Sequence, residues 1–222
     1  MLKTIPSIFM SLIAVLLLGS CASSRASEER KMALLEAKVD AKDCFVEMRD
    51  GTVKTYSTLK LMTSIYKAPH LLADGKIKID ADDIVAYQSK KHYAINASGF
   101  SIGGHKSNIA SETLPGFAVR VATGHLNVYI KKYKINGKVM DEYFLQENNG
   151  QVLVYTPELM SALVRNNPEA LEFFNNNKKR IKLTEELKTT AKIYNDAYFA
   201  EHPEEKNLLA KTDKPKKKPK KF

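Results

Sequence analysis

Between residue 43 and residue 155 runs of side chains that are apolar at every second position recur, and Asp-Gly or Asn-Gly steps interrupt them at short intervals. Successive residues of a strand point to opposite faces, so this alternation describes strands buried on one side, wetted on the other and joined by tight turns. "DCFVEM" and "TVKTYSTLKLM" flank "RDG", and "HLL" and "KIKIDADDIVAYQ" flank "ADG". Each set reads as a hairpin, because glycine accepts the positive φ that a short turn demands. In "FAVRVATGHLNVYIKKY", Val119 and Val121 alternate before Gly124, and Leu126, Val128 and Ile130 alternate after it. Asn136 and Gly137 turn that strand onto "VMDEYFLQE", and "NNG" separates the latter from "QVLVYT". The pattern predicts a mostly antiparallel sheet of about six to eight strands.

After Tyr155 the signals become helical. "TPELMSALVRN" offers Thr156 as N-cap and Pro157 in the first turn, where a missing amide hydrogen costs nothing. "NPEALEFFNN" repeats the device with Asn167, Pro168 and Glu169. "TEELKTTAKIYNDAYFAEH" predicts the longest helix, beginning at Thr184 and presenting Leu187, Ala191, Tyr194 and Tyr198 as one stripe. The expected fold class is therefore α+β: an antiparallel meander or partial barrel over residues 43–155, with helices of residues 156–210 packed on it.

The two ends of the chain have a different character. Lys3 precedes "IFMSLIAVLLLG", and across the 11 residues 8–18 only Ser11 is polar. A charged start and a short apolar run have the form of an export signal. Spanning a membrane takes about 20 apolar residues at about 1.5 Å of rise each, so this run is too short to be a stable span. Leu18, Gly19 and Ser20 lead directly into Cys21. That four-residue pattern resembles the lipobox of bacterial lipoproteins. The resemblance implies cleavage between Ser20 and Cys21, a diacylglycerol on the Cys21 thiol, and acylation of the new amino terminus. Residues 1–20 are then the signal peptide, and the membrane is a partner through the lipid. Each buried methylene contributes about 0.8 kcal/mol, so two or three chains hold a protein almost permanently.

Ala22 stands where an aspartate retains lipoproteins in the inner membrane of enterobacteria. By that family rule the outer membrane is the expected location, with the periplasmic and surface-facing sides both open. Residues 21–42 read as a lipidated N-terminus and tether. Within them Ser27, followed by Glu28 and Glu29, is placed to cap a short helix carrying Met32, Leu35 and Val39 on one face.

The formal charge of +10 looks like a nucleic-acid signature until it is located. The tail, residues 211–222, holds seven lysines against one aspartate, and Lys3 adds one more positive charge, which leaves +3 on residues 21–210. The globular part is nearly balanced, so no specific nucleic-acid binding is expected. The tail has almost nothing apolar to bury, and Pro215 and Pro219 interrupt any helix, so its composition is that of a disordered segment. Lys214, Lys216, Lys217, Lys218, Lys220 and Lys221 offer an electrostatic grip on anionic lipid or polyanions, against the plain alternative of a solvated terminus.

Chemistry-bearing motifs are sparse. With Cys21 lipidated, Cys44 in "DCFVEM" has no intramolecular partner and reads as a small buried hydrophobe. "GFSIGGHKS", residues 99–107, resembles a Walker A loop, but His105 separates Gly104 from Lys106 and shifts the lysine out of the phosphate nest. Residues 97–116 read instead as a loop between strands, a lid or a partner-binding segment. "DADD", residues 80–83, offers three carboxylates but lacks the glycine and distant glutamate of a calcium loop. His70, His92, His105, His125 and His202 are scattered, without the spacing that sets two imidazoles on one helix face. "YFLQ" and "NVYIKKY" are candidate sugar-stacking aromatics, weighed against ordinary cross-strand packing. No cofactor or metal is implied.

Taken together, "DGTVKTY", "GKIKIDADDIVAY", "YFLQENNGQVLVYTPELMSALVRNNPEAL" and "KIYND" resemble exported proteins and lipoproteins common in Bacteroidota genomes, over residues 43–198. That resemblance implies location and fold but no activity. The expected function is a lipid-anchored envelope protein that binds or scaffolds an unidentified component without catalysis. The alternative is an envelope hydrolase or glycan- or ligand-binding enzyme whose site assembles from distant residues such as His105 and Asp83.

Overall fold

The turns carry the topology. Asn136 (φ 48°) and Gly137 (φ 81°) both adopt the left-handed conformation that a two-residue hairpin requires, and Asn148 (φ 51°) does the same in the next turn. The computed structural model of the protein describes residues 44–64, 66–100, 112–177 and 180–205.

Strands β1 (Cys44–Met48), β2 (Val53–Tyr56), β6 (Ile84–Gln88), β7 (Tyr93–Asn96), β8 (Phe117–Ala122), β9 (Leu126–Ile135), β10 (Lys138–Glu147) and β11 (Leu153–Val154) form one antiparallel sheet in the order β11-β10-β9-β8-β7-β6-β1-β2. The sheet is open, ending at β11 and β2. Strands β3 (Leu59–Met62), β4 (His70–Ala73) and β5 (Ile77–Asp80) make a second, three-stranded sheet. Helices α1 (Pro157–Val164), α2 (Pro168–Asn177) and α3 (Leu183–Glu201) follow, so the class is α+β with helices packed on the sheet.

The second sheet is where the fold departs from the alternation. "TVKTYSTLKLM" does not run as one strand; it breaks after Tyr56, and its two halves enter different sheets. Asp74 holds the break: its carboxylate accepts the Thr58 N–H at 2.8 Å, and its own N–H reaches the Thr58 carbonyl at 3.0 Å. "KIKIDADDIVAYQ" likewise divides at a single 3₁₀ turn, Ala81–Asp83, between β5 and β6. Strand β7 forms without an Asp-Gly or Asn-Gly turn signal beside it in the sequence.

Both helix starts in the first pair are capped as their residues predict. Thr156 Oγ1 accepts from Leu159 N at 3.1 Å, and Asn167 Oδ1 from Ala170 N at 2.9 Å. Helix α3 begins one residue before Thr184, with Lys182 at the N-cap and no side-chain cap.

One face of the main sheet carries two apolar clusters. Val46, Tyr87, Ala94 and Phe117 pack under the three-stranded sheet through Leu71, Ala73 and Ile79. Leu126, Val128 and Leu145 pack under the helices through Met160, Val164, Phe174, Leu187 and Ala191. Removing one such side chain, as in Leu187→Ala, costs about 2–5 kcal/mol. The opposite face holds Ala118, Tyr129 and Phe144, with Ala97 and Phe100 over one end.

Candidate functional site

Helix α3 lies over β8 and β9, and its stripe is only half apolar. Leu187 and Ala191 are buried as expected, but the position one turn further on is taken by Asn195, 5 % exposed. Its carboxamide oxygen accepts from Leu126 N at 2.7 Å, and its nitrogen donates to the carbonyls of Leu126 at 2.9 Å and Thr123 at 3.5 Å. The side chain thereby mimics a strand edge and pins the β8–β9 turn to the helix. Gly124 leaves room for it: a Cβ there would lie 2.3 Å from Asn195 Cγ.

Tyr194 and Tyr198, the other members of the expected stripe, are half-buried and meet the imidazole of His125. His125 stacks on Tyr198 with centroids 3.7 Å apart and 22° between planes, and Tyr198 continues to His202 at 4.4 Å. Carboxylates flank this row. His125 Nε2 lies 3.7 Å from Glu147, and the Tyr198 hydroxyl donates to Glu205 at 3.1 Å. Burial, and then the adjoining glutamates, push the hydroxyls of Tyr194 and Tyr198 above the usual tyrosine range. His125 Nδ1 is buried without a hydrogen-bond partner.

His202, Glu204 and Glu205 bring one ligand atom each to within 4.8 Å of one another. Zinc bonds of about 2.1 Å set tetrahedral neighbours roughly 3.4 Å apart, so these groups would have to close in to coordinate. Beside the row, a shallow groove of about 340 Å³ runs between α3 and β8, lined by Val121, Thr123, Lys188, Lys192 and Phe199 among others. Its lysines are matched by acids: Lys188 pairs with Glu185 at 3.0 Å and Lys192 with Asp196. The groove thus carries two ion pairs along α3, with Phe199 among its lining residues.

A tyrosine–histidine–threonine cluster elsewhere has the residue types of acid–base chemistry. The Tyr87 hydroxyl meets His92 Nε2 at 3.2 Å, contacts Thr113 Oγ1 and accepts from Leu114 N at 3.4 Å. Burial raises the Tyr87 pKa and lowers that of His92. Tyr87 is 1 % exposed and its ring packs against Phe117, while His92 is half-buried.

The other sequence candidates fall as follows. The carboxylates of "DADD" do not converge: Asp80 pairs with Lys78 at 2.7 Å, while the backbone carbonyls of Asp82 and Asp83 accept from Arg49. Cys44 is fully buried in β1. Phe144 and Tyr129 are core residues, and Tyr143 bonds Thr184 at 2.8 Å, so these aromatics are packing groups. Ser20, Cys21, His105, most of the 97–116 loop and the lysines of residues 211–222 lie outside the described residues. Asn195 was missed because an asparagine inside a helical pattern looks like a surface residue; its only signal was the glycine in "ATGHL".

Comparison with protein-family models, with curated proteins and with solved structures gave no match.

Proposed function

We propose that this chain is a lipid-anchored protein of the bacterial cell envelope whose folded part binds or scaffolds another envelope component and performs no catalysis. The observation that carries the proposal is Leu18-Gly19-Ser20-Cys21 placed directly after a short apolar run. The groove beside α3, with its paired charges and Phe199, supports the binding role, because it is open to a partner and its polar groups already have partners to exchange. Ala22 supports the outer membrane as location, and the lysines of residues 211–222 supply a second, electrostatic contact to anionic lipid.

Growth with labelled palmitate tests the anchor. The wild type takes up label and partitions with membranes, whereas Cys21→Ala does neither. Equal labelling of the two, or a mature chain beginning downstream of Cys21, overturns the proposal.

A further inference from the structure

The face of the main sheet turned away from the helices holds a trough whose floor is too short to hide itself. Strand pairing sets Glu47 beside Ala86, Ala86 beside Ile95 and Ile95 beside Ala118. The Val119–Ile130 pair carries the row on to Lys131, which faces Glu142. Ala86 is 2 % exposed, Ala118 0 % and Lys131 2 %. Ala97 and Phe100 lie over the Phe144 end of this face, beside Ala118, but among the described residues no helix or strand packs over Ala86, because the three helices and the strands β3–β5 pack on the other face.

We propose that residues 27–42 of this chain form an amphipathic helix lying across this trough. Three observations select that segment. It ends within two residues of β1, where Glu47 begins the row. Glu28, Met32, Leu35, Val39 and Lys42 follow one another at alternating steps of four and three, which places them on one helix face with an acid at one end and a base at the other. From residue 28 to residue 42 a helix rises about 21 Å, and the four strand spacings from β1 to β9 amount to about 19 Å. Laid across the sheet, the segment sets Lys42 near Glu47, its apolar stripe on Ala86 and Ala118, and Glu28 near Lys131. The rival occupants fit less well: residues 206–222 would bring lysines onto Lys131, and residues 101–111 have no such stripe. The docking does not depend on lipidation of Cys21.

Hydrogen exchange of the mature chain, residues 21–222, tests it first: amides of residues 31–41 are expected to be slowed about a hundredfold or more against an unstructured chain. Acylation of Lys131 tests the site: it resists an amine reagent in the wild type and reacts as fast as exposed Lys60 in Met32→Asp/Leu35→Asp. Unprotected amides at 31–41, or exposure of Lys131 by Ile109→Asp or by removal of residues 211–222 and not by the double variant, overturns the proposal. Should the double variant fail to fold, the exchange measurement on the wild type decides alone.

Discussion

Gly124 and Asn195 occupy each other's space: the hydrogen atom that glycine carries in place of a methyl is what admits the carboxamide that ties β9 to helix α3. Asn195→Ala leaves the buried N–H and carbonyl of Leu126 without these partners and is expected to cost about 2–4 kcal/mol. Gly124→Ala is expected to cost about 2 kcal/mol through the clash. The two are not additive, since the added methyl fits once the carboxamide is gone, so the second substitution costs under about 0.5 kcal/mol in the Asn195→Ala background. A four-way comparison of urea midpoints checks this, and simple additivity sinks it.

His92 gives the fold a pH response. Burial against Tyr87 holds its pKa below the ordinary 6.5, so the unfolded chain takes up the proton first. The stabilisation is whole above that ordinary value and is lost as the pH falls through the lower folded one. Melting temperature should therefore drop more steeply between about pH 7 and 5 for the wild type than for His92→Gln. Parallel curves would remove His92 as the cause.

At the alkaline end Tyr93 behaves in the opposite sense. Burial raises its hydroxyl to about 12, against a partial opposing pull from Arg120, whose guanidinium stands 4.3 Å over the ring. Tyr155 is also raised to about 12, by burial and then by Glu186. Stability tied to these groups is whole below the ordinary value of 10 and is lost as the pH climbs towards 12. An ultraviolet titration should show a late-ionising fraction that shrinks in Tyr93→Phe; an unchanged late fraction refutes the assignment.

The lysine tail is tested apart from the fold. Removing residues 211–222 should leave the melting temperature unchanged and weaken association with vesicles containing anionic lipid, at about 1 kcal/mol per lysine near the surface and less at high salt. Sedimentation with neutral and anionic vesicles reads the difference, and equal binding with and without the tail dismisses its role.

How much of this was legible depended on where the deciding interaction lay. The hairpins at Gly51, Gly75 and Gly137 and the caps at Thr156 and Asn167 are set by neighbours in the chain, and the pattern exposed them. The division into two sheets was hidden, because Thr58 and Asp74 are 16 residues apart and each alone is an ordinary polar residue. The role of Asn195 was hidden more deeply, since its partners lie 69 residues away. The anchor proposed at Cys21 rests on a short local motif alone and draws nothing from the fold.

Strand β1 has a neighbour on each side, β2 and β6, both antiparallel to it. Because such bonds stand at right angles to the strand, traction applied to its leading end acts on both rows simultaneously, in shear, instead of unzipping them singly. A pull along β1 from that end would have to break both rows together before the strand came free.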